Sequence, residues 1–165
     1  MEGEHTLLQA ITALKAEGNK HYAAGEYQEA AAVYSKAVRQ LPDPEEDDVP
    51  PALASQAAVI LCNRSATYMH LKKAVAALAD AQLAADFDAA NWKAHWRTGL
   101  ALMMMEPRLE RSEQAVAAFK RTQDCTTLPE SERQNVSQAL ARAQYRLEQG
   151  RDALDMPDMA NCVLC

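Results

Sequence analysis

Apolar residues recur at three- and four-residue spacing in seven stretches of the chain, separated by short polar or proline-containing breaks. That periodicity is the mark of amphipathic helices. It predicts helices over about 5–23, 27–41, 52–71, 74–87, 90–105, 110–124 and 129–150. Ala24-Gly25 marks the first turn, Leu41-Pro42-Asp43-Pro44 the first stop, and Met105-Glu106-Pro107 a later break. Thr127 and Pro129 open the last helix. Residues 42–51, PDPEEDDVPP, carry proline at both ends and read as an acidic, solvated loop. Residues 151–165 continue no clear period and read as a flexible tail.

The helices come in pairs that repeat. Gly18, Ala30, Tyr34, Ala37 and Pro42 of the first pair face Ser65, Ala77, Ala81, Ala84 and Ala89 of the second. A third copy starts at Trp92, with Gly99 in the small-residue slot and Ala115 and Phe119 later. Small residues at fixed slots let two antiparallel helices approach closely, and larger ones fill the layer between hairpins. A period of about 34 residues with two helices per unit is the tetratricopeptide spacing. The expected architecture is all-α: a right-handed superhelix of three helix-turn-helix repeats, about 11–44, 58–91 and 92–126. The helix over 129–150 solvates the last apolar face as a cap, which gives one domain over 5–150.

Composition narrows the function. The chain has 165 residues, 48% hydrophobic but only 5% aromatic, which favours helices over a sandwich or barrel. A net charge of −6 argues against a nucleic-acid binder. No apolar run reaches the length of a membrane span, and the opening MEGEHTLL has no signal-peptide character, so the default location is the cytoplasm. Four cysteines, Cys62, Cys125, Cys162 and Cys165, do not make a disulfide framework. The charge is unevenly spread. Asp43–Asp48 carries −5 and 151–165 carries −2, leaving the repeats and cap near neutrality, so a locally positive groove is compatible with the total.

The first helices of the repeats line the concave face of such a superhelix. Lys15, Asn19 and Tyr22 share one helix face, as do Lys93 and Arg97, while Asn63 sits early in the third helix with Ala66 and His70 stacked below it. These residues bring many donors and few acceptors together, so the matching ligand is anionic. The segments LKAEGNK (14–20), NRSATY (63–68) and WKAHWR (92–97) resemble the three signatures of the dicarboxylate-clamp tetratricopeptide family, over about 8–125. That resemblance implies a co-chaperone adaptor that binds the Glu-Glu-Val-Asp carboxyl terminus of the 70-kDa and 90-kDa heat-shock chaperones. By motif the family's clamp falls on Lys15, Asn19, Asn63, Lys93 and Arg97. The first three would hold the terminal main-chain carboxylate, Lys93 the terminal aspartate side chain, and Arg97 the upstream peptide. Tyr22, Ala66 and Met69 would form an apolar wall for the valine. The chain departs from the pattern at His21, at Lys72-Lys73-Ala74 in place of a glycine turn, at Ala89 in place of a proline, and in the longer turn near Pro107.

Other features read as structural. Tyr34, Tyr68, Trp92, Trp96 and Phe119 are expected between helices, Met103-Met104-Met105 as core filling, and His5, His21, His70 and His95 without metal-ligand spacing. No Ser-His-Asp set, phosphate loop or paired-acid motif occurs, so neither an enzyme nor a cofactor is expected. Cys162-Val163-Leu164-Cys165 has the form of a prenylation box, with Cys162 as the lipidated residue and a peripheral membrane location as the consequence. An incidental tail and half of a zinc site are the other readings of those four residues. Two further functions stay open at this level: a scaffold for a different acidic segment, and an adaptor whose main role is membrane targeting.

Overall fold

The computed structural model describes residues 2–45 and 48–155, and the side chains of residues 5–45 and 48–151. The tail expectation, Cys162 included, falls outside them. The described residues form seven α-helices: α1 Glu2–Ala23, α2 Tyr27–Val38, α3 Pro51–His70, α4 Ala74–Phe87, α5 Trp92–Met104, α6 Leu109–Asp124 and α7 Glu130–Asp155. Each packs antiparallel on the next. In addition α1 lies against α3 and α3 against α5, so these helices make the inner layer of the curved stack. This is the all-α tetratricopeptide superhelix that the repeat period predicts.

Local chemistry explains the turns. After α1, Gly25 adopts φ +77°, its N–H bonding to the Tyr22 carbonyl at 3.0 Å while Glu26 N–H reaches the His21 carbonyl at 2.9 Å. This is the glycine-capped Schellman ending of a helix. The second repeat, which lacks the glycine, makes the same two bonds: Lys72 N–H to Met69 and Lys73 N–H to Tyr68, with Lys72 itself at φ +59°. The departure at Lys72-Lys73 therefore changes the strain and keeps the geometry. At Ala89, where a proline stop was expected, Asp88 accepts the Ala90 N–H at 3.1 Å and stops α4 by a side-chain turn. Asn91 then caps α5 by accepting the Lys93 N–H at 3.1 Å. His21 pairs with Glu26 across the first turn at 2.6 Å.

Three ends differ from the periodic reading by three residues or more, the first being α1, which starts at Glu2 and not near 5. α2 stops at Val38, not near 41, because Pro42 disfavours helix in the residue before it, and the chain closes in tighter turns to Gln40 and Leu41. α7 passes through Gly150 to Asp155, with Arg151 reaching Glu113 at 3.1 Å.

Close packing occurs where the repeat alignment puts small residues. A Cβ on Gly18 would stand 2.4 Å from the Tyr34 ring, and one on Gly99 would stand 2.5 Å from the Phe119 ring. In the middle repeat Ser65 takes the slot opposite a smaller neighbourhood and donates to the Ala77 carbonyl at 2.7 Å. A buried ion pair joins the second hairpin: Arg64 Nε and Nη2 donate to the two Asp80 oxygens at 2.7 and 2.6 Å, and Nη1 donates to Ser35 Oγ on α2 at 3.1 Å. Burial works against both charges. At Asp80 it outweighs the guanidinium and moves the carboxyl up, whereas at Arg64 the Asp80 bonds outweigh it and hold the cation.

Candidate functional site

On the inner layer, Asn19, Tyr22, Tyr34, Asn63, Ala66 and Arg97 line one cavity of about 140 Å³. Asn19 and Tyr22 come from α1, Asn63 and Ala66 from α3, and Arg97 from α5, so three sequence-distant motifs meet there. Tyr34 reaches the cavity from α2 because Gly18 leaves room for its ring.

The polar groups are ordered by a small network. Asn19 Oδ1 accepts from the Tyr34 hydroxyl at 2.6 Å and from Asn63 Nδ2 at 3.0 Å. With its oxygen occupied twice, Asn19 has its amide N–H groups left as donors. Burial pushes the Tyr34 hydroxyl up to about 12, with Tyr22 adding to the rise and the Asn63 bond opposing it, so the phenol remains a donor at neutral pH. Arg97 Nε is buried in this wall and has no hydrogen-bond partner among the described residues. No described carboxylate forms an ion pair with Arg97, Lys15 or Lys93. The cavity thus presents unneutralised positive charge and donors, the complement of a carboxylate.

The two lysines stand outside the cavity lining. Lys15 Nζ donates to Gln56 Oε1 on α3 at 2.5 Å. Lys93 is exposed, with its ammonium 5.7 Å from the Trp92 ring centroid. Both carry flexible four-carbon stems, and neither forms an ion pair with a described carboxylate. Of the expected apolar wall, Tyr22 and Ala66 line the cavity and Met69 does not. An aromatic cluster stands there instead: Tyr22 Oη bonds His70 Nε2 at 3.0 Å, and His70 stacks on Tyr27 with centroids 4.2 Å apart and rings 5° from parallel.

Sequence reasoning missed Tyr34 and Gln56 as parts of the site. Gln56 lies seven residues before Asn63 and so shares its helix face, a signal that was present. Tyr34 gave only a packing signal, because nothing in the spacing shows where its hydroxyl points. Cys62 lies beside Arg97 and Lys93. Burial pushes its thiol up to about 12 against the pull of those two cations.

The comparisons agree with this architecture. No family model matches the chain. Protein unc-45 homolog B of Xenopus tropicalis is 37% identical over 115 residues, which is 70% of this chain. Human RNA polymerase II-associated protein 3 is 29% identical over 140 residues, 85% of this chain. The chain spans only 11% and 19% of the length of those two relatives. Among solved structures, the first tetratricopeptide domain of Spaghetti (RPAP3), bound to the HSP90 peptide SRMEEVD, superposes with a TM-score of 0.60 at 29% identity. That match covers 81% of this chain and 97% of the other. The repeat period, the seven-helix superhelix and these matches converge: the chain is a tetratricopeptide-repeat domain.

Proposed function

We propose that this domain is a non-enzymatic binding module for acidic carboxyl termini of the Glu-Glu-Val-Asp kind, and that it thereby acts as an adaptor for 90-kDa or 70-kDa heat-shock chaperones. The observation that carries the reading is the double occupation of Asn19 Oδ1. It removes the acceptor from the cavity and leaves amide and guanidinium donors facing a ligand. A terminal aspartate brings two carboxylates within a few ångströms, and only several convergent donors replace the water they lose. Asn19, Asn63 and Arg97 meet the ligand inside the cavity. Lys15 leaves Gln56, and Lys93 leaves the face of Trp92, to complete the clamp around the two carboxylates. The asparagines donate without adding repulsion to a site that already holds three cations. The likeness to a domain solved with an HSP90 peptide supports the same ligand class.

A short peptide that orders on binding is expected to reach about micromolar affinity, roughly −8 kcal/mol. The test is fluorescence polarisation with a labelled Met-Glu-Glu-Val-Asp peptide, its C-terminal amide, and the variants Asn19→Ala and Arg97→Ala. The acid binds, and both the amide and the variants bind at least tenfold more weakly. Equal binding of acid and amide would overturn the clamp in favour of a groove for internal acidic segments.

A further inference from the structure

At the other end of the stack a larger hollow, about 500 Å³, opens between the start of α6 and the second half of α7. Pro107, Arg108, Leu109 and Ser112 form one side of it, and Tyr145 and Arg146 the other. Its position on the α5–α6 turn and its residues are separate from those around Asn19 and Arg97.

Its chemistry is specific. Arg108 is the N-cap of α6 but offers no side-chain cap, so the N–H groups of the first turn stay open toward whatever lies there. Ser112, in that first turn and only 3% exposed, lines the hollow. Arg146 donates through Nη1 to the Met103 carbonyl at 2.8 Å and through Nη2 to the Met105 carbonyl at 2.7 Å. Those bonds satisfy the end of α5 and fix the guanidinium, while Nε is buried without a partner. No described carboxylate forms an ion pair with Arg108 or Arg146. Glu110, at the start of α6, accepts from Gln114 and is not part of the lining. The remaining wall is apolar, and Tyr145 leaves 65% of its surface in water.

We propose that this hollow is a second peptide site, one that takes a linear segment in which an acidic side chain stands beside an apolar one. The carboxylate docks on the open α6 turn, against Ser112 and Arg108, in the field of Arg146. The apolar neighbour covers Leu109 and the ring of Tyr145. A small inorganic anion would use the first half and leave the apolar wall wet, whereas a hollow of this size is filled by adjacent side chains. Because the anchor is a side-chain carboxylate, this site needs no free carboxyl terminus. It therefore lets the domain hold a second acidic segment while the cavity around Asn19 is occupied.

The test uses ¹H–¹⁵N spectra of the full 165-residue chain titrated with acetyl-Leu-Asp-Leu-amide and with its Asn counterpart. Both peptides are blocked at both ends, so neither tests the terminal-carboxylate reading, and failure here leaves that reading intact. The amides of Leu109–Ser112 and of Tyr145 are expected to shift saturably with the Asp peptide. The Asn peptide, Arg108→Ala and Ser112→Ala should each weaken the effect several-fold, and Arg108→Ala removes an exposed side chain. No saturable shift at millimolar peptide overturns the proposal, as do equal shifts with the Asn peptide. Shifts at these amides that follow protein concentration without peptide overturn it in favour of a second copy of the chain.

Discussion

The Tyr34 hydroxyl donates to Asn19 Oδ1 at 2.6 Å, while the ring that carries it fills the space a side chain at Gly18 would need. One residue thus couples a close helix–helix contact of the first repeat to the orientation of an amide in the cavity. Removing only the oxygen separates the two roles. Tyr34→Phe keeps the packing and is expected to cost about 1 kcal/mol of stability, the net worth of one hydrogen bond. Asn19 then loses half of what fixes its amide, and peptide affinity in fluorescence polarisation should fall about three- to tenfold, roughly 0.7–1.4 kcal/mol.

The same hydroxyl gives the alkaline limb of stability a defined shape. Its folded value is raised to about 12 from an ordinary 10.0. A group with a raised folded value contributes stability below its unfolded value and loses it as pH rises through the folded one. Tyr34 therefore destabilises the domain between pH 10 and 12. Denaturant melts at stepped pH should show a steeper loss in that window for the native chain than for Tyr34→Phe.

The two glycine slots predict a contrast. A methyl at Gly18 would stand 2.4 Å from Tyr34, and one at Gly99 would stand 2.5 Å from Phe119. Either alanine overpacks a helix pair at a cost of about 1–3 kcal/mol. Only the first also displaces Tyr34 from Asn19. Gly18→Ala should lower both melting temperature and peptide affinity, whereas Gly99→Ala should lower the melting temperature with affinity nearly unchanged. Calorimetry paired with polarisation reads both quantities.

These slots were legible in the sequence because a missing Cβ at a repeated position has one physical meaning. The third repeat shows it best: its longer turn moves Phe119 four residues later relative to Gly99 than Tyr34 is to Gly18, and the contact is still made. The convergence of Asn19, Asn63 and Arg97 was equally legible, since helix spacing fixes faces. Side-chain reach was not. Lys15 on Gln56, Lys93 beside Trp92, and His70 on Tyr27 are choices among rotamers that the spacing leaves open. Arg64–Asp80 and the bonds from Arg146 to the α5 end were hidden for another reason. Each joins residues 16 or more positions apart whose pairing only the packed stack decides.

Lys72 holds φ +59° at the position where the first repeat has Gly25 at +77°. A left-handed conformation costs a lysine about 1 kcal/mol and costs a glycine almost nothing, while glycine gives back part of that in unfolded-state entropy. Lys72→Gly should therefore stabilise the domain by up to about 1 kcal/mol. Lys73→Gly, one residue on, should destabilise it. A pair of urea melts decides the sign of each.

Arg64 and Asp80 form the tie between α3 and α4, and through Ser35 they extend it to α2. Removing one partner leaves the other charge in a buried site, which costs about 3–5 kcal/mol. Asp80→Ala is expected to fall in that range, with Arg64 left only Ser35 and the face of Tyr68, 5.6 Å away. The double variant Arg64→Met with Asp80→Leu removes both charges and replaces them by apolar volume, so it should recover most of the loss. Thermal melts of the two singles and the double complete the cycle. A double variant no more stable than Asp80→Ala would show that the pair supports the hairpin by its geometry and not merely by avoiding an unpaired buried charge.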